Sequence, residues 1–158
     1  MKLYHEDYYA LNALGQLLSR GKKSPFYKVL VEDLKLTSNV SASNRGSELA
    51  GEFSVSIQGF PGTGLGDISD GINKAFERFE AEGVSGQDLS RIKTRQETGF
   101  YNSLSSVLSK ATTLARFSIF AGDPGYTTEY IDRILGVTIE DVNRVYELYV
   151  KGKNFIAT

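Results

Sequence analysis

The sequence has no cysteine, no tryptophan and a single histidine, and these absences exclude several kinds of site. Without cysteine there is no thiol nucleophile, no iron–sulfur cluster and no cysteine-based zinc site. The formal net charge at pH 7 is −1, so the chain lacks the overall positive charge typical of nucleic-acid-binding domains. No apolar run approaches the roughly 20 residues that cross a bilayer. We therefore expect neither nucleic acid nor a membrane as a partner.

The chain has 158 residues, of which 41% are apolar and 23% are charged, as in one ordinary globular domain. A domain of this size buries roughly 70% of the surface that its unfolded chain exposes. Folding therefore requires neither a disulfide nor a structural metal. We expect residues 1–158 to form a single domain that holds no cofactor of its own.

Apolar residues that recur every three or four positions predict helices along most of the chain. The first covers Asp7 to about Ser19, and the second starts at Pro25, with Ser24 as its N-cap, and ends near Leu34. Further helices are predicted from Ile68 to about Glu82, from Thr128 to Leu135, and from Thr138 to Tyr149. A longer helix is predicted from Ser85 through Val107, and its continuation to Phe120 is either part of it or a separate helix after a bend near Ser109.

Apolar and polar residues alternate over Glu52–Gln58, as in a strand with one buried and one wet face. The Ser-rich segment Thr37–Ser43 predicts a second strand, joined to it by a turn at Asn44–Ser47. Lys153–Thr158 resembles a last strand. The predicted fold class is therefore α+β, with a mainly antiparallel sheet covered on one face by helices.

Three local patterns suggest chemistry, and each has a simpler structural interpretation. His5 precedes Glu6 and Asp7, but zinc needs three or four converging ligands, so we interpret the two acids as helix-capping residues. Gly62–Gly66 lies between a strand and a helix, where glycine-rich loops bind phosphate. Its spacing does not match a known phosphate motif, and Asp67 would repel an anion there. We interpret it as a flexible connection between strand and helix, with Asp67 as the helix cap.

Two groups of basic residues form the third pattern: Arg20, Lys22 and Lys23 in a loop, and Arg91, Lys93 and Arg95 on a helix. Single-stranded nucleic acid binding would require aromatic residues interleaved on the same surface. We interpret both groups as solvated charge.

Three segments resemble a known family when they are read in order. Leu14–Leu34 is similar to the stretch L-G-x-x-L-S-x-G-x-x-S-x-L-Y-x-x-L-V-E of the insulinase/pitrilysin zinc peptidases, in their C-terminal domain that does not bind zinc. Gly83–Lys93 and Ile134–Val145 resemble two further stretches of the same domain. The resemblance covers nearly the whole chain. It implies the fold shared with the mitochondrial processing peptidase and LuxS.

The resemblance implies that zinc is bound elsewhere. The family's zinc site is an inverted H-x-x-E-H helix in a preceding domain, and that motif does not occur in this sequence. We therefore expect the chain alone to be inactive and to have no catalytic residue. Some relatives carry an Arg and a Tyr that reach towards the substrate, and the matching positions are Val31 and Ser38, which cannot act electrostatically.

The expected function is that of a non-catalytic domain forming part of the wall of a peptide-digesting chamber. Arg20, Lys22, Lys23 and Ser24 are the candidate contacts with the chamber or the domain seam. The expected partners are the preceding zinc-binding domain, the other half of the peptidase and an unfolded peptide. The segment is similar to a domain excised from a longer peptidase, so its unpaired sheet edge favours a homodimer of the fragment.

Two alternatives remain open from the sequence. The first is a catalytically inactive scaffold subunit of the same fold, which an upstream H-x-x-E-H motif in the parent reading frame would argue against. The second is a phosphate-binding module that uses Gly62–Gly66. Kinship with exported bacterial relatives suggests a periplasmic or envelope location for the parent.

Overall fold

The computed structural model describes residues 3–157, which contain six α-helices, one π-helix and a two-stranded antiparallel sheet. In chain order these are α1 (Glu6–Ser19), the π-helix (Tyr27–Asp33), β1 (Thr37–Gly46), β2 (Gly51–Gly59), α2 (Leu65–Glu82), α3 (Gly86–Ser103), α4 (Val107–Phe120), α5 (Thr127–Gly136) and α6 (Ile139–Tyr149). The predicted α+β class is confirmed.

Two predicted helix starts have the expected caps. The Ser85 hydroxyl accepts a hydrogen bond from the N–H of Asp88 at 3.4 Å. At the start of α6, the Thr138 hydroxyl accepts from the N–H of Asp141 at 3.1 Å, and the Asp141 carboxylate accepts from the N–H of Thr138 at 3.0 Å. Such reciprocal bonds satisfy N–H groups that have no partner inside a helix, so the local sequence determines where these helices begin.

The bend predicted near Ser109 is a complete break in the helix, three residues earlier than expected. Helix α3 ends at Ser103, and α4 begins at Val107. Ser106 is the N-cap of α4, since its hydroxyl accepts from the N–H of Ser109 at 3.5 Å. Of the two alternatives that the sequence left open, the separate helix is therefore the one observed.

The second helix starts at Pro25 as predicted, but it widens to π geometry from Tyr27 onwards. The wider turn is closed by the N–H of Leu34, which donates to the carbonyl of Val29 at 2.9 Å. Ser24 precedes this helix, but its hydroxyl donates to the Gly21 carbonyl at 2.8 Å instead of accepting from the helix. Ser24 therefore holds the loop before the helix.

The two strands pair in the register Val40 with Ile57, Ala42 with Val55 and Asn44 with Phe53. This register places the apolar residues of β2 against the core, as the alternation predicted. The hairpin turn lies at Ser47–Ala50, where the N–H of Ser47 donates to the carbonyl of Ala50 at 2.8 Å. The predicted turn at Asn44–Ser47 was thus wrong by about three residues, because β1 continues to Gly46.

The predicted last strand is wrong. Residues 153–157 have no regular secondary structure, and Thr158 lies outside the described residues. Gly152, at φ +65°, turns the chain after α6, and Ile156 is 91% exposed. A strand persists only where its backbone groups find partners, and within residues 3–157 no third strand joins β1 and β2.

Helix α1 lies at the centre of the core, closely packed against β1. A Cβ atom built on Gly15 would lie only 2.9 Å from the carbonyl oxygen of Ala42, so only glycine permits this approach. The Ser19 hydroxyl accepts a hydrogen bond from the N–H of Ala42 at 2.9 Å. This backbone group of β1 therefore finds its partner on α1.

Asp7 fastens α1 to α6, although the sequence suggested a capping role for it. Its carboxylate is 3% exposed, Arg144 lies 2.5 Å from Oδ1, and the Tyr149 hydroxyl donates to Oδ2 at 2.8 Å. Burial alone raises the pKa of a carboxyl group, but Arg144 and Tyr149 outweigh it and hold the pKa of Asp7 below its usual range. The N-cap of α1 is His5, whose Nδ1 accepts from the N–H of Asp7 at 3.3 Å.

Candidate functional site

The loop from Arg20 to Ser24 forms one wall of a surface cleft. Gly21 has φ +89°, a conformation that reverses the chain directly after α1. The Gly21 carbonyl accepts from both the N–H and the hydroxyl of Ser24, at 3.0 and 2.8 Å, and so closes the loop. Arg20, Lys22 and Lys23 are exposed and line the cleft. We call this segment the basic loop.

The opposite wall is formed by the end of α2 and the first turns of α3. Gly83, at φ +69°, ends α2 and directs the chain into the cap of α3 at Ser85. Arg91 and Arg95 stand four residues apart, one turn of α3, and both line the same cleft. We call the space between the basic loop and α3 the basic cleft.

Positive charge dominates the lining of the basic cleft. Two acids also line it, and each already has a basic partner: Glu82 accepts from Nε of Arg78 at 2.8 Å, and Asp88 lies 3.3 Å from Nη1 of Arg91. Among residues 3–157, the three cations of the basic loop and Arg95 form no ion pair. The cleft therefore has positive charge available for an anionic ligand.

The predicted site residues do not share one environment. Arg20, Lys22 and Lys23 line the basic cleft in exposed positions, whereas Ser24 is 5% exposed and engaged with Gly21. Ser24 is therefore placed to support the loop. Lys93 does not line the cleft with Arg91 and Arg95. Its Nζ donates instead to the Leu135 carbonyl at 2.7 Å.

Sequence reasoning did not foresee that Arg91 and Arg95 join the basic loop. Their spacing of four residues shows that they share a face of α3, and that signal was available. Which surface this face meets depends on how α3 packs against the end of α1. Two groups interpreted separately as solvated charge thus line one cleft.

The Gly62–Gly66 loop has the structure of a helix cap. The Asp67 carboxylate accepts a hydrogen bond from the N–H of Gly64 at 3.2 Å, at the start of α2. A carboxylate therefore occupies the place where a phosphate would bind to the helix N-terminus. This arrangement argues against the phosphate-binding alternative.

The donors near His5 do not suit zinc. Nδ1 of His5 is used as the cap of α1, and the neighbouring carboxylate of Asp7 is engaged by Arg144 and Tyr149. Within the described residues, no group of three or more His, Cys, Asp or Glu side chains is arranged to hold a metal ion. The donor set of residues 3–157 therefore gives no support for zinc binding.

Val31 and Ser38, the positions matched to the family's Arg and Tyr, lie in different environments. Val31 lies in the π-helix, half-buried and packed against the core. Ser38 is exposed at the irregular start of β1, where the register shifts between Thr37 and Val40. Neither side chain carries charge, as the sequence showed.

The α+β fold and the absence of an H-x-x-E-H motif from the sequence are typical of one class, the inactive domains of zinc peptidases. The chain belongs to the peptidase M16 inactive domain family, whose sequence profile matches residues 2–96. This confirms the predicted resemblance.

Three bacterial proteins are similar to the chain, one in sequence and two in fold. The zinc protease PqqE of Helicobacter pylori is 26% identical over 147 residues, which make up 93% of this chain and 33% of that protein. The chain thus spans about a third of the length of this curated relative. An inactive peptidase domain from Bordetella parapertussis has the same fold, with a TM-score of 0.79 and 19% identity over 91% of this chain and 78% of that one.

The periplasmic protease PqqL of Escherichia coli also shares the fold. Its TM-score is 0.72 and its identity 18%, over 95% of this chain and 16% of that one. Among the helices of residues 3–157, none combines the length and apolar character needed to cross a bilayer.

Proposed function

We propose that this chain is the non-catalytic domain of a zinc metallopeptidase and forms part of the wall of its peptide chamber. The observation that carries the proposal is the match to the peptidase M16 inactive domain in a sequence without an H-x-x-E-H motif. The partners are a neighbouring zinc-bearing domain, the other half of the peptidase and an unfolded peptide. The basic loop, supported by Ser24, faces the chamber or the seam between domains.

In this proposal the chain supplies a surface that confines and positions the peptide substrate. Zinc, bound in the neighbouring domain, supplies the Lewis-acid chemistry for peptide hydrolysis. The residues of this chain confine the peptide: Arg20, Lys22 and Lys23 offer charge, and the packing of α1 holds their loop in place. The direct support is that all three cations line one cleft.

The test is kinetic and uses this chain together with the zinc-bearing chain or domain of its parent. We expect no hydrolysis of a quenched fluorescent peptide by this chain alone, and chelator-sensitive hydrolysis by the assembly. The double variant Lys22→Glu/Lys23→Glu should raise KM while kcat stays close to that of the wild type. Lys110→Glu/Lys153→Glu makes the same change of charge away from the cleft and should leave both parameters unchanged.

Three results would overturn the proposal. The first is stoichiometric zinc retained by the purified chain after dialysis, together with peptide cleavage by the chain alone. The second is an unchanged KM in the basic-loop variant. The third is an assembly with a correct H-x-x-E-H site that cleaves no peptide, which the scaffold alternative predicts.

We further propose that the parent acts in the bacterial periplasm or envelope. The support is the fold shared with a protease described as periplasmic. Cell fractionation with an epitope tag on the parent tests this, and recovery of the tagged protein in the cytoplasmic fraction would contradict it.

A further inference from the structure

We infer that the basic cleft binds acidic segments of peptides, in which an apolar side chain is flanked by carboxylates. The inference names a substrate class for the proposed chamber wall, and it rests on that function for the nature of the occupant. The cleft encloses about 250 Å³, which suits a short segment of extended chain.

The lining of the basic cleft carries a net positive charge. Five cationic side chains line the cleft, from two separate elements, and the two acids that line it are already paired with arginines. Among residues 3–157, four of the five cations form no ion pair, since Glu82 is paired with Arg78 outside the lining and Asp88 with Arg91. Arginine side chains bind carboxylates through paired N–H groups, and lysine side chains act as mobile point charges. This lining selects an anion.

The basic cleft also has apolar residues in its lining. Two of these side chains are half-buried: Leu17 of α1, and Val84 in the connection between α2 and α3. Phe79 of α2 and Ile92 of α3 also line the cleft and are more deeply buried, at 5% and 6% exposure. A lining that combines cationic and apolar side chains is complementary to a ligand that carries carboxylates beside an apolar group.

The same lining distinguishes a peptide from nucleic acid. Proteins that hold single strands stack bases on exposed aromatic rings. The aromatic residue in this lining is Phe79, and its ring is covered by the core. The cleft therefore offers charge without a stacking surface, which favours the peptide.

Binding of labelled probes to the purified chain tests the inference, with fluorescence anisotropy as the readout. The probes are short peptides that alternate Glu with Leu, Glu with Ser, or Lys with Leu, and a single-stranded oligonucleotide. We expect the Glu–Leu peptide to bind, the Glu–Ser peptide to bind less tightly and the Lys–Leu peptide not to bind. High salt should weaken the interaction, because the cations are exposed.

Variants locate the binding site. Lys22→Glu/Lys23→Glu and Arg95→Glu should each weaken Glu–Leu binding by about tenfold. Lys110→Glu/Lys153→Glu, with the same charge change on α4 and after α6, should change the affinity by less than about twofold. Circular dichroism confirms that each variant is folded.

Three outcomes would overturn the inference: no binding of the Glu–Leu peptide, tighter binding of the oligonucleotide, or equal losses in the cleft and control variants. Failure of this experiment leaves the proposed chamber-wall function standing, because that function is tested by the KM of the zinc-bearing assembly. If the Glu–Leu peptide binds tightly but Lys22→Glu/Lys23→Glu leaves the KM of the assembly unchanged, the cleft binds acidic peptides and the proposed chamber-wall function is wrong.

Discussion

Helices α1 and α4 are equally long, with 14 residues each, and each contains eight apolar residues, yet they are buried to very different extents. Helix α1 buries eight of its residues, whereas α4 buries Phe117 alone. Val107 and Leu108 at the start of α4 are 84% and 77% exposed. Helices of matching composition thus occupy the centre and the surface of one domain.

The difference lies in what each helix meets. Helix α1 contacts β1, α3, α5 and α6, and Gly15 and Ser19 fit it to the backbone of β1. Helix α4 is held mainly through Phe117, whose ring packs against Tyr4, Tyr126 and Tyr130. The contribution of an apolar residue to stability therefore depends on its neighbours.

The largest expected effect comes from removing the anchor of α4. Phe117→Ala should lower the free energy of unfolding by about 3–5 kcal/mol, because it leaves a cavity among packed aromatic rings. Leu114→Ala, one turn earlier at a position that is 47% exposed, should change it by less than about 0.5 kcal/mol. Urea unfolding measures both, and similar losses would show that α4 is packed throughout.

The next effect tests the close approach of α1. Gly15→Ala should destabilise the domain by about 2 kcal/mol, because the new methyl group meets the rigid carbonyl of Ala42. Gly99→Ala in α3 is the matched control, since a Cβ there meets nothing within 4 Å. That substitution should stabilise by about 0.5–1 kcal/mol through helix propensity. A stabilising Gly15→Ala would contradict the observed packing.

A third prediction concerns pH. The folded-state pKa of Asp7 lies below its unfolded value of about 3.9, so its stabilisation is complete above that pH and disappears as pH falls through the folded pKa. Asp7→Asn should therefore cost about 1–2 kcal/mol near neutral pH and progressively less in acid. Urea titrations across the acid range measure this gap.

Asp132→Asn is the control for the pH prediction. Asp132 is exposed on α5, and the substitution should have little effect at any pH. The difference in the free energy of unfolding between wild type and Asp7→Asn should shrink as the pH falls. If it stays constant down to about pH 3, the ion pair with Arg144 does not set the pKa of Asp7.

The smallest expected effect is dimerisation through the outer edge of β2. The N–H of Ala42 donates to Ser19 and not to β2, so Ala42 and Val55 form a pair without hydrogen bonds between them. In such a pair the backbone N–H and C=O of each residue point away from the other strand, so those of Val55 point to the outer edge of β2. Exposed edges invite pairing, so we expect weak dimerisation at high concentration. Val55→Pro removes the edge N–H and should reduce this association, whereas Val55→Thr keeps the N–H and the branched shape.

Sedimentation equilibrium measures this association. A wild-type chain that stays monomeric at the highest soluble concentration, or equal association of the two Val55 variants, would reject pairing through β2.

Much of the fold was predictable because its signals are local. Ser85, Thr138 and Asp141 cap their helices through atoms a few residues away, and the β2 alternation shows directly which face is buried. The predicted last strand was wrong because a strand needs a partner outside its own segment. The candidate site was half predictable: the basic loop was found, while its meeting with Arg91 and Arg95 required the packed structure.

The sequence by itself determined the family, the starts of α3 and α6, the α+β class and the absence of an H-x-x-E-H site. These depend on residue identity and on contacts along the chain. Only the tertiary structure decided which apolar helix is buried, that Asp7 is an ion-pair partner of Arg144, and that two basic groups share one cleft. Those facts depend on residues far apart in sequence that packing brings within a few ångströms of each other.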